Sequence, residues 1–359
     1  MVSMDNPDVL VIGAGVCGLS AALAVARSGR TVTVYAASQP SRTTSAAAGA
    51  LWGPHLVGAD ERVGGWAVAT LTRLRELAGH PASGVREMAG LAAATAGLAA
   101  PTAGTAAPEH ADRVPNAPGD RHPMEDLPDF ARQVGDLTRC DPGSLPVGYA
   151  SGWRYTAPVV SMPVYLDYLL DEILQAGGQL HLGKPLTSLA EALQACTAPV
   201  VVNCTGIGAR TLVPDPDLIP VRGQVVLVAN PGLTEWFVGE QDDPAEVTYF
   251  FPHGTTAVLG GTQSHGDSST IPDPATAARI VRACAKVEPA LAEAPVLGHR
   301  VGLRPVRPRV RLEVTALGDG RHLVHNYGHG GAGVSLSWGC ALEVAEQVRM
   351  VDIQRSPII

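Results

Sequence analysis

The stretch Val9-Leu10-Val11-Ile12-Gly13-Ala14-Gly15-Val16-Cys17-Gly18 decides the fold of this chain. Its first four residues form a short, mostly β-branched run, which is typical of a strand buried on both faces. The Ala- and Leu-rich segment Leu19–Ser28 has the composition of a helix, and Thr31–Tyr35 is a second β-branched run. A strand, a glycine-rich turn, a helix and a strand in this order predict a βαβ unit.

The three glycines of the turn have the spacing of a dinucleotide-binding site. Gly13 permits the tight turn, Gly15 lets the backbone approach a pyrophosphate, and Gly18 lets the helix and the strand pack closely. The N-terminus of the helix also offers free N–H groups and the positive end of its dipole to phosphates. The alternative is a cluster of turn glycines with no ligand. The position of the motif between a strand and a helix favours the nucleotide.

The second strand lacks one feature of such a site. It ends Tyr35-Ala36-Ala37-Ser38, without the Asp or Glu that binds the ribose hydroxyls. Ser38 can supply one neutral hydrogen bond instead. Because no arginine stands at the strand end to take a 2′-phosphate, NADP is not favoured either.

Length and composition bound the remaining possibilities. A chain of 359 residues suggests about two or three domains. Hydrophobic residues make up 46% and charged residues 17%, which excludes a largely disordered protein. The net charge of −8 excludes a general nucleic-acid binder, which would need a basic face. One cluster of arginines, from Arg300 to Arg311, leaves room for a local anion site.

Cysteine spacing and hydropathy indicate the compartment. The six cysteines fit neither a metal-binding spacing nor a secreted disulfide scaffold, so we expect no metal and buried thiols in a reducing compartment. No cationic segment precedes Asp8, so we expect no signal peptide. The uncharged stretch 90–107 is too rich in Ala, Gly, Thr and Pro to be a good membrane span. We therefore expect a cytoplasmic protein without a membrane or nucleic-acid partner.

Further along the chain the pattern alternates between helices and strands. Gly90–Pro123 is expected to begin as a strand and to continue as a surface loop. The remaining predicted helices are Trp66–Leu77, Met162–Ala176 and Val334–Met350, and the remaining predicted strands are Leu180–Leu182, Val200–Asn203, Gln224–Val228, Thr248–Phe251 and Ala257–Leu259. We expect the last three strands to belong to a second sheet.

Two blocks in the second half of the chain carry a family resemblance. His325-Asn326-Tyr327-Gly328-His329-Gly330-Gly331-Ala332-Gly333 and Gly302-Leu303-Arg304-Pro305-Val306-Arg307-Pro308 resemble the two signatures of the D-amino-acid oxidases. Val202–Gly206, Arg222–Gln224 and Thr43–Pro54 match the same family in the same order. The resemblance runs from about residue 9 to residue 345 and is weakest over 85–150.

The resemblance implies an FAD-dependent flavoenzyme with an α/β fold of two domains and a topology like that of glutathione reductase. The Rossmann-like FAD domain would be discontinuous, over 1–48, 158–217 and 305–359. A second domain, with an antiparallel or mixed β-sheet, would bind the substrate and span 49–157 and 218–304. The family has an Asp where Ala37 stands, which puts one ribose contact in doubt but not the cofactor.

The same resemblance implies a set of cofactor-binding residues on the turn, the strand ends and the last helix. They are Gly13, Ala14, Gly15, Val16, Cys17, Gly18, Ala37, Ser38, Thr43, Thr44, Ser45, Gly49, Ala50, Leu51, Leu186, Cys204, Thr205, Gly206, Arg304, Gly328, Gly330, Gly331, Ala332, Gly333, Val334 and Ser335. The N–H groups of the loop Gly328–Gly331 are expected to face the pyrimidine end of the flavin. His329 is expected to be a packed histidine that shapes this loop; an acid or base is the alternative.

The implied reaction is oxidative deamination of D-amino acids. The Cα hydrogen leaves as hydride to flavin N5, O2 reoxidises the flavin to give H2O2, and the imino acid hydrolyses to a 2-oxo acid and ammonia. Arg304 would bind the substrate carboxylate through two hydrogen bonds. Tyr249 would support that carboxylate, and the carbonyl of Gly331 would accept from the substrate amine. For Arg304 the alternative is a structural arginine.

Three residues would line the substrate pocket: Leu51, Gly53 and His55. His55 is similar to the residue of D-aspartate oxidases, but those relatives usually carry Ser in place of Gly331. Gly53 adds room, so we expect neutral or hydrophobic D-amino acids. D-aspartate oxidase, a glycine-oxidase-like amine oxidase and a non-catalytic flavin-binding protein remain the alternatives. The oligomeric state is open, with a homodimer as one option.

Overall fold

The computed structural model describes residues 6–95, 133–183, 185–240 and 246–355. The strands are β1 Val9–Ile12, β2 Val32–Ala36, β3 Val85–Ala94, β4 Thr138–Arg139, β5 Ser151–Val160, β6 Gln179–Leu182, β7 Val200–Asn203, β8 Ile219–Ala229, β9 Trp236–Glu240, β10 Glu246–His253, β11 Thr256–Thr262, β12 Ser264–His265, β13 Val296–Ala316 and β14 His322–His329. The helices are α1 Val16–Arg27, α2 Val63–Ala78, α3 Met162–Gln175, α4 Leu189–Ala195, α5 Ala209–Leu212, α6 Pro274–Val287 and α7 Gly333–Arg355. The predicted loop after β3 lies largely outside the described residues.

The N-terminal βαβ unit is the centre of a parallel sheet. The strand order is β14-β7-β1-β2-β6, and every neighbouring pair in it is parallel. All four residues of β1 are buried, as the unbroken apolar run predicts. At the end of β1, Gly13 has a φ of +111°, and a Cβ atom there would lie 2.5 Å from the carbonyl oxygen of Cys204. The turn therefore requires glycine at this position.

Helices cover both faces of the parallel sheet. On one face α1 packs against α3 and α7, and the apolar side of α3 contributes the buried Tyr165 and Leu169. On the other face, Leu10 and Tyr35 pack with residues of α4 and α5. Helices on both faces shield the apolar side chains of a parallel sheet from solvent.

A second set of strands lies beside the first, in the order β5-β3-β9-β10-β11-β8. All neighbours in this set are antiparallel except β3 and β9, which are parallel. Helix α6 packs on it through the buried Ile280 and Cys284. The N-terminus of α6 is capped by Asp273, whose carboxylate accepts from the Thr276 N–H at 2.9 Å.

The long strand β13 joins the two sets into one continuous sheet. From Val296 to Val306 it pairs with β8, and from Val306 to Ala316 it pairs with β14. The sequence predicts two sheets but not this link between them. The link places Arg304 just before the point where β13 changes partner.

The predicted α/β fold with a mixed second sheet is confirmed. The discontinuous domain boundaries stay a prediction. Among the described residues, no helix is long and apolar enough to cross a membrane.

Candidate active site

A cavity of about 930 Å³ lies where the parallel sheet meets the mixed strands. Its walls come from the turn between β1 and α1, the segment 43–57, strands β9 and β10, the middle of β13 and the loop before α7. The carboxyl ends of β1, β2 and β7 all open into it. Ligands of open α/β sheets bind outside these strand ends.

One end of the cavity is built by the N-terminus of α1. Gly15 is the N-cap residue, and a Cβ atom at this position would lie 3.1 Å from Ser45 Oγ. The N–H of Val16 donates to the same hydroxyl at 2.9 Å. The segment after β2 is thereby held beside the helix terminus, whose dipole favours an anion such as a pyrophosphate.

The Gly-rich loop before α7 packs tightly against the segment 54–57. Gly330 has a φ of +56°, and a Cβ atom there would overlap the carbonyl oxygen of Leu56. Its N–H donates to Pro305 O at 2.8 Å, and the Gly331 N–H donates to Leu56 O at 3.3 Å. These two N–H groups are therefore occupied within the protein and do not face a ligand as predicted. The first turn of α7, Gly333–Ser335, lines the cavity instead.

Two buried polar atoms in this wall lack a hydrogen-bond partner among the described residues, His329 Nε2 and Asn326 Oδ1. The other ring nitrogen of His329, Nδ1, lies 3.6 Å from Cys17 Sγ. Burial lowers the pKa of His329 to about 4, so the ring is neutral near pH 7. Both atoms have almost no accessible surface, so they are sealed within the wall and do not face the open space of the cavity.

Arg304 lies in the middle of the cavity wall. Its Nη1 donates to the backbone carbonyl of Thr262 at 3.0 Å. Within the described ranges it pairs with no carboxylate, whereas Arg307 forms an ion pair with the buried Asp215 at 3.0 Å. Burial lowers the pKa of Arg304 and the nearby Tyr249 opposes this shift. A guanidinium group held in a cavity without an anion of its own is suited to bind one.

Tyr249 faces the same space from β10. Its register places it opposite Val238 of β9 and Gly260 of β11. Its ring stacks on Phe251, with centroids 4.8 Å apart, and fills the space beside the Cα of Gly260 and Gly261. Burial raises the pKa of the Tyr249 hydroxyl and Arg304 opposes the rise. The hydroxyl is therefore protonated at neutral pH and can donate a hydrogen bond.

The predicted pocket residues Leu51, Gly53 and His55 all line the cavity. His55 Nε2 lies 3.0 Å from the side-chain nitrogen of Gln263. A Cβ atom at Gly53 would meet no atom within 4 Å, so this glycine leaves open space. A Cβ atom at Gly331 would lie 2.8 Å from His55 O. A side chain could therefore be added at Gly53 without a clash, whereas a side chain at Gly331 would clash with the backbone of His55.

Most predicted cofactor residues line the cavity. The exceptions are Gly18, Gly328 and Ala332. A Cβ atom at Gly18 would overlap the carbonyl oxygen of Gly13, so this glycine packs the helix and the turn together, as its position in the motif predicts. Gly328 has a φ of +85° and lies against Arg307, and the fully buried Ala332 closes the turn into α7. Their contribution to the site is through the backbone.

The wall also contains residues that were not predicted from the sequence, among them Tyr155, Glu240, Gln263 and Asn326. Asn326 lies inside a quoted motif, and its burial in a strand is a signal that could have found it. Tyr155 falls where the resemblance is weakest. Glu240 and Gln263 belong to no motif. The pairing of β9 with β10 brings Glu240 to the site, and Gln263 lies between β11 and β12.

The sequence profile described as DAO, FAD dependent oxidoreductase, matches residues 8–347. The chain belongs to the DAO family. A D-amino-acid oxidase from Rubrobacter xylanophilus is 46% identical over 336 residues, 94% of this chain and 94% of that relative. A D-amino-acid oxidase from Streptomyces coelicolor is 42% identical over 339 residues, 94% of this chain and 95% of its own length.

The fold of this DAO family member is also found among solved structures. Glycine oxidase from Geobacillus kaustophilus superposes with a TM-score of 0.73 at 19% identity, over 96% of this chain and 95% of that one. At this identity the likeness shows the fold alone. The predicted resemblance to the family is confirmed by the profile and by the two relatives.

The residues present fit the FAD that the family requires. The glycine turn and the N-terminus of α1 suit the pyrophosphate, because a Cβ atom at Gly13 would strike the Cys204 carbonyl and one at Gly15 would crowd Ser45 Oγ at 3.1 Å. In this DAO family member the end of β2 and the residues after it contribute Tyr35, Ala36, Ala37 and Ser38 to the cavity wall, and none of the four is acidic.

Proposed function

We propose that this chain is a D-amino-acid oxidase. The balanced reaction converts a D-amino acid, water and O2 into a 2-oxo acid, ammonia and H2O2. The partly buried Arg304 supports this proposal most strongly, because its guanidinium group lies in the cavity with Tyr249 and bonds only to a backbone carbonyl among the described residues. FAD, when bound, supplies the two-electron acceptor and passes the electrons to O2.

Arg304 binds and orients the substrate carboxylate through two N–H donors. The Tyr249 hydroxyl donates a further hydrogen bond to the same group. The carbonyl of Gly331 accepts from the substrate amine. Three fixed contacts around Cα set which hydrogen faces the cofactor, and such positioning is the protein's main contribution when the cofactor carries the chemistry.

No side chain of the wall is needed as a general base when the amine binds unprotonated. Burial keeps His329 neutral, and His55 lies against Gln263. Both histidines serve to shape the site. The first turn of α7, Gly333–Ser335, would hold the flavin end of the cofactor, and its dipole favours negative charge on the reduced ring.

The pocket favours neutral over acidic side chains. Open space at Gly53 accommodates bulk, and Leu51 supplies apolar surface. Gly331 leaves no room for the serine that accompanies a histidine in D-aspartate oxidases, because its Cβ position is 2.8 Å from His55 O. His55 is therefore not evidence for an acidic substrate here.

The FAD-loaded enzyme tests this function directly. We expect H2O2 and a 2-oxo acid from D-alanine and D-methionine, none from L-alanine, and lower kcat/KM for D-aspartate and glycine. Arg304→Ala is expected to raise KM strongly and to lower kcat, because orientation is lost with binding. Arg309→Ala removes an exposed arginine of the same strand and is the matched control. Turnover of D-alanine by Arg304→Ala at the wild-type rate, or none by the wild type, would overturn the proposal.

The cytoplasm is the proposed location, and a homodimer is the proposed assembly. All six cysteines lie in described ranges and are free thiols, which supports a reducing compartment. Size-exclusion chromatography with light scattering measures the assembly, and cell fractionation measures the location.

A further inference from the structure

Among the described residues, the cavity wall contains one acidic and one basic side chain. Its only members of the set Asp, Glu, Lys and Arg in these ranges are Arg304 and Glu240. The proposed function uses Arg304 for the carboxylate that every amino acid carries. It gives no role to Glu240.

Sheet register places the Glu240 side chain on the cavity face. Glu240 pairs with Val247, and Val238 pairs with Tyr249, so these two pairs form consecutive rows on one face of β9 and β10. All four residues line the cavity. Gly239, between them, faces the other side, where a Cβ atom would overlap the Tyr149 hydroxyl. Because side chains alternate along a strand, the carboxylate of Glu240 extends from the same face as the ring of Tyr249.

The distance between the two rows suits a long side chain. Two residues along a strand span about 6.8 Å. Glu240 therefore lies about 6.8 Å along β9 from Val238, the residue that pairs with Tyr249 on the neighbouring strand β10. The surface between them is apolar, formed by Val238, Val247 and Ala92. An aliphatic stem of three or four methylene groups, as in lysine or arginine, would cross this surface with its cation beyond it.

The carboxylate of Glu240 also acts on a second residue of the cavity wall, Tyr155. Burial is the main cause that raises the pKa of Tyr155, and the charge of Glu240 adds to the rise. Tyr155 is itself a wall residue. The carboxylate is therefore close enough to influence a group that faces the substrate.

We propose that Glu240 is a specificity-determining residue that selects D-amino acids with a long cationic side chain and disfavours acidic ones. The proposal rests on the proposed oxidase function and deepens it. The substrate spans the cavity between two opposite charges, its carboxylate on Arg304 and its terminal cation at Glu240. Neutral side chains still bind through the apolar surface, but without the terminal contact.

Isosteric substrate pairs test the charge and leave shape unchanged. The FAD-loaded enzyme is assayed with D-arginine against D-citrulline and with D-glutamate against D-glutamine. We expect kcat/KM to be higher for D-arginine than for D-citrulline and lower for D-glutamate than for D-glutamine. In Glu240→Gln the ratio of D-arginine to D-citrulline is expected to fall about tenfold, the effect of losing one partly buried charge pair.

Glu235→Gln is the matched control. Glu235 immediately precedes β9, at the opposite end of the strand from Glu240, and lies outside the cavity. It forms an ion pair with Arg154 at 2.6 Å, and both side chains are about half exposed. This variant is expected to keep the wild-type substrate ratios. Equal ratios in the wild type and Glu240→Gln would overturn the role of Glu240 while leaving the oxidase function intact.

Binding measurements keep the test independent of turnover. 6-Aminohexanoate and hexanoate have no α-amino group and cannot be oxidised, and calorimetry gives their affinities for the holoenzyme. We expect the amino compound to bind more tightly to the wild type and to lose that advantage in Glu240→Gln. Failure of every D-amino acid as a substrate would overturn the proposed function, and Glu240 would then be judged on these affinities alone. Equal affinities in the wild type would reject its role.

Discussion

The guanidinium group of Arg304 occupies the space that a side chain would take at Gly223. A Cβ atom there would lie 2.5 Å from Nη1 and 2.7 Å from Cζ. The two residues stand on neighbouring strands, where Gly223 pairs with Gly302 and Arg222 with Leu303. The glycine therefore fixes the position of the guanidinium group that we propose to bind the substrate carboxylate.

Gly223→Ala is expected to displace Arg304 and to lower kcat/KM for D-alanine. A misplacement of about 1 Å in a positioning group can cost about 10²-fold. Steady-state peroxide assays measure the loss, which should include a clear rise in KM. Gly298→Ala is the control, since a Cβ atom at that position of β13 meets no atom within 4 Å. Similar kinetics for both variants would contradict the packing argument.

Ala37→Asp is expected to tighten FAD binding. A carboxylate at the end of β2 can accept from the ribose hydroxyls, and one charged hydrogen bond of about 1.5 kcal/mol corresponds to about tenfold in Kd. Titration of the apoenzyme with FAD by fluorescence gives the Kd. Ala278→Asp adds the same charge to an exposed position of α6 and controls for net charge. An unchanged Kd in Ala37→Asp would show that the ribose is held elsewhere.

Acid is expected to destabilise the protein through His325. Burial, with a smaller effect of Arg311, lowers the pKa of this histidine to about 4. The unfolded chain takes up the proton near pH 6.5, so the free energy of unfolding falls as the pH drops from about 6.5 to 4. Between pH 7 and 4.5 the loss is about 2 kcal/mol.

Urea unfolding of the FAD-saturated enzyme at the two pH values measures this loss. His329, whose pKa is also lowered to about 4, adds a loss of its own, so His325→Gln should remove about half of the measured loss, whereas replacement of the exposed His80 by Gln should remove none. The same pH dependence in the wild type and His325→Gln would assign the acid sensitivity to other groups.

Gly331→Ser is expected to lower kcat/KM about 10²-fold on every D-amino acid, D-aspartate included, because the new Cβ atom lies 2.8 Å from a backbone oxygen that cannot rotate away. Substrate panels measure the change. Gly53→Ser adds the same group to open space and should cost much less. A gain in D-aspartate activity in Gly331→Ser would show that the loop can shift.

The local parts of the fold were predictable from the sequence. The turn Gly13–Gly18 joins residues that are neighbours in the chain, and its constraints are those of a short backbone. The strand β13 was not predictable, because Pro305 and Pro308 interrupt its pattern and its register is irregular between Val306 and Arg311. The first half of β13 pairs with β8 and the second half pairs with β14, so no single pattern of residues describes the whole strand.

The site divides in the same way. Arg304 and Tyr249 were predicted from the family resemblance, and the structure brings them to one cavity. The N–H groups of Gly330 and Gly331 were predicted to face the flavin. Instead they donate hydrogen bonds to the carbonyl oxygens of Pro305 and Leu56, which lie in other segments of the chain. A partner that is distant in sequence leaves no local pattern, so it could not be anticipated.

The partner change of β13 at Val306 also has a mechanical consequence. Only one residue lies between Arg304 and Val306, which pairs with His329 at the end of β14, just before the loop that leads into α7. The guanidinium group proposed to bind the substrate and the loop that leads into the proposed flavin site therefore share one support. We expect changes in α6, which packs on the other strands, to leave the spacing between them unchanged.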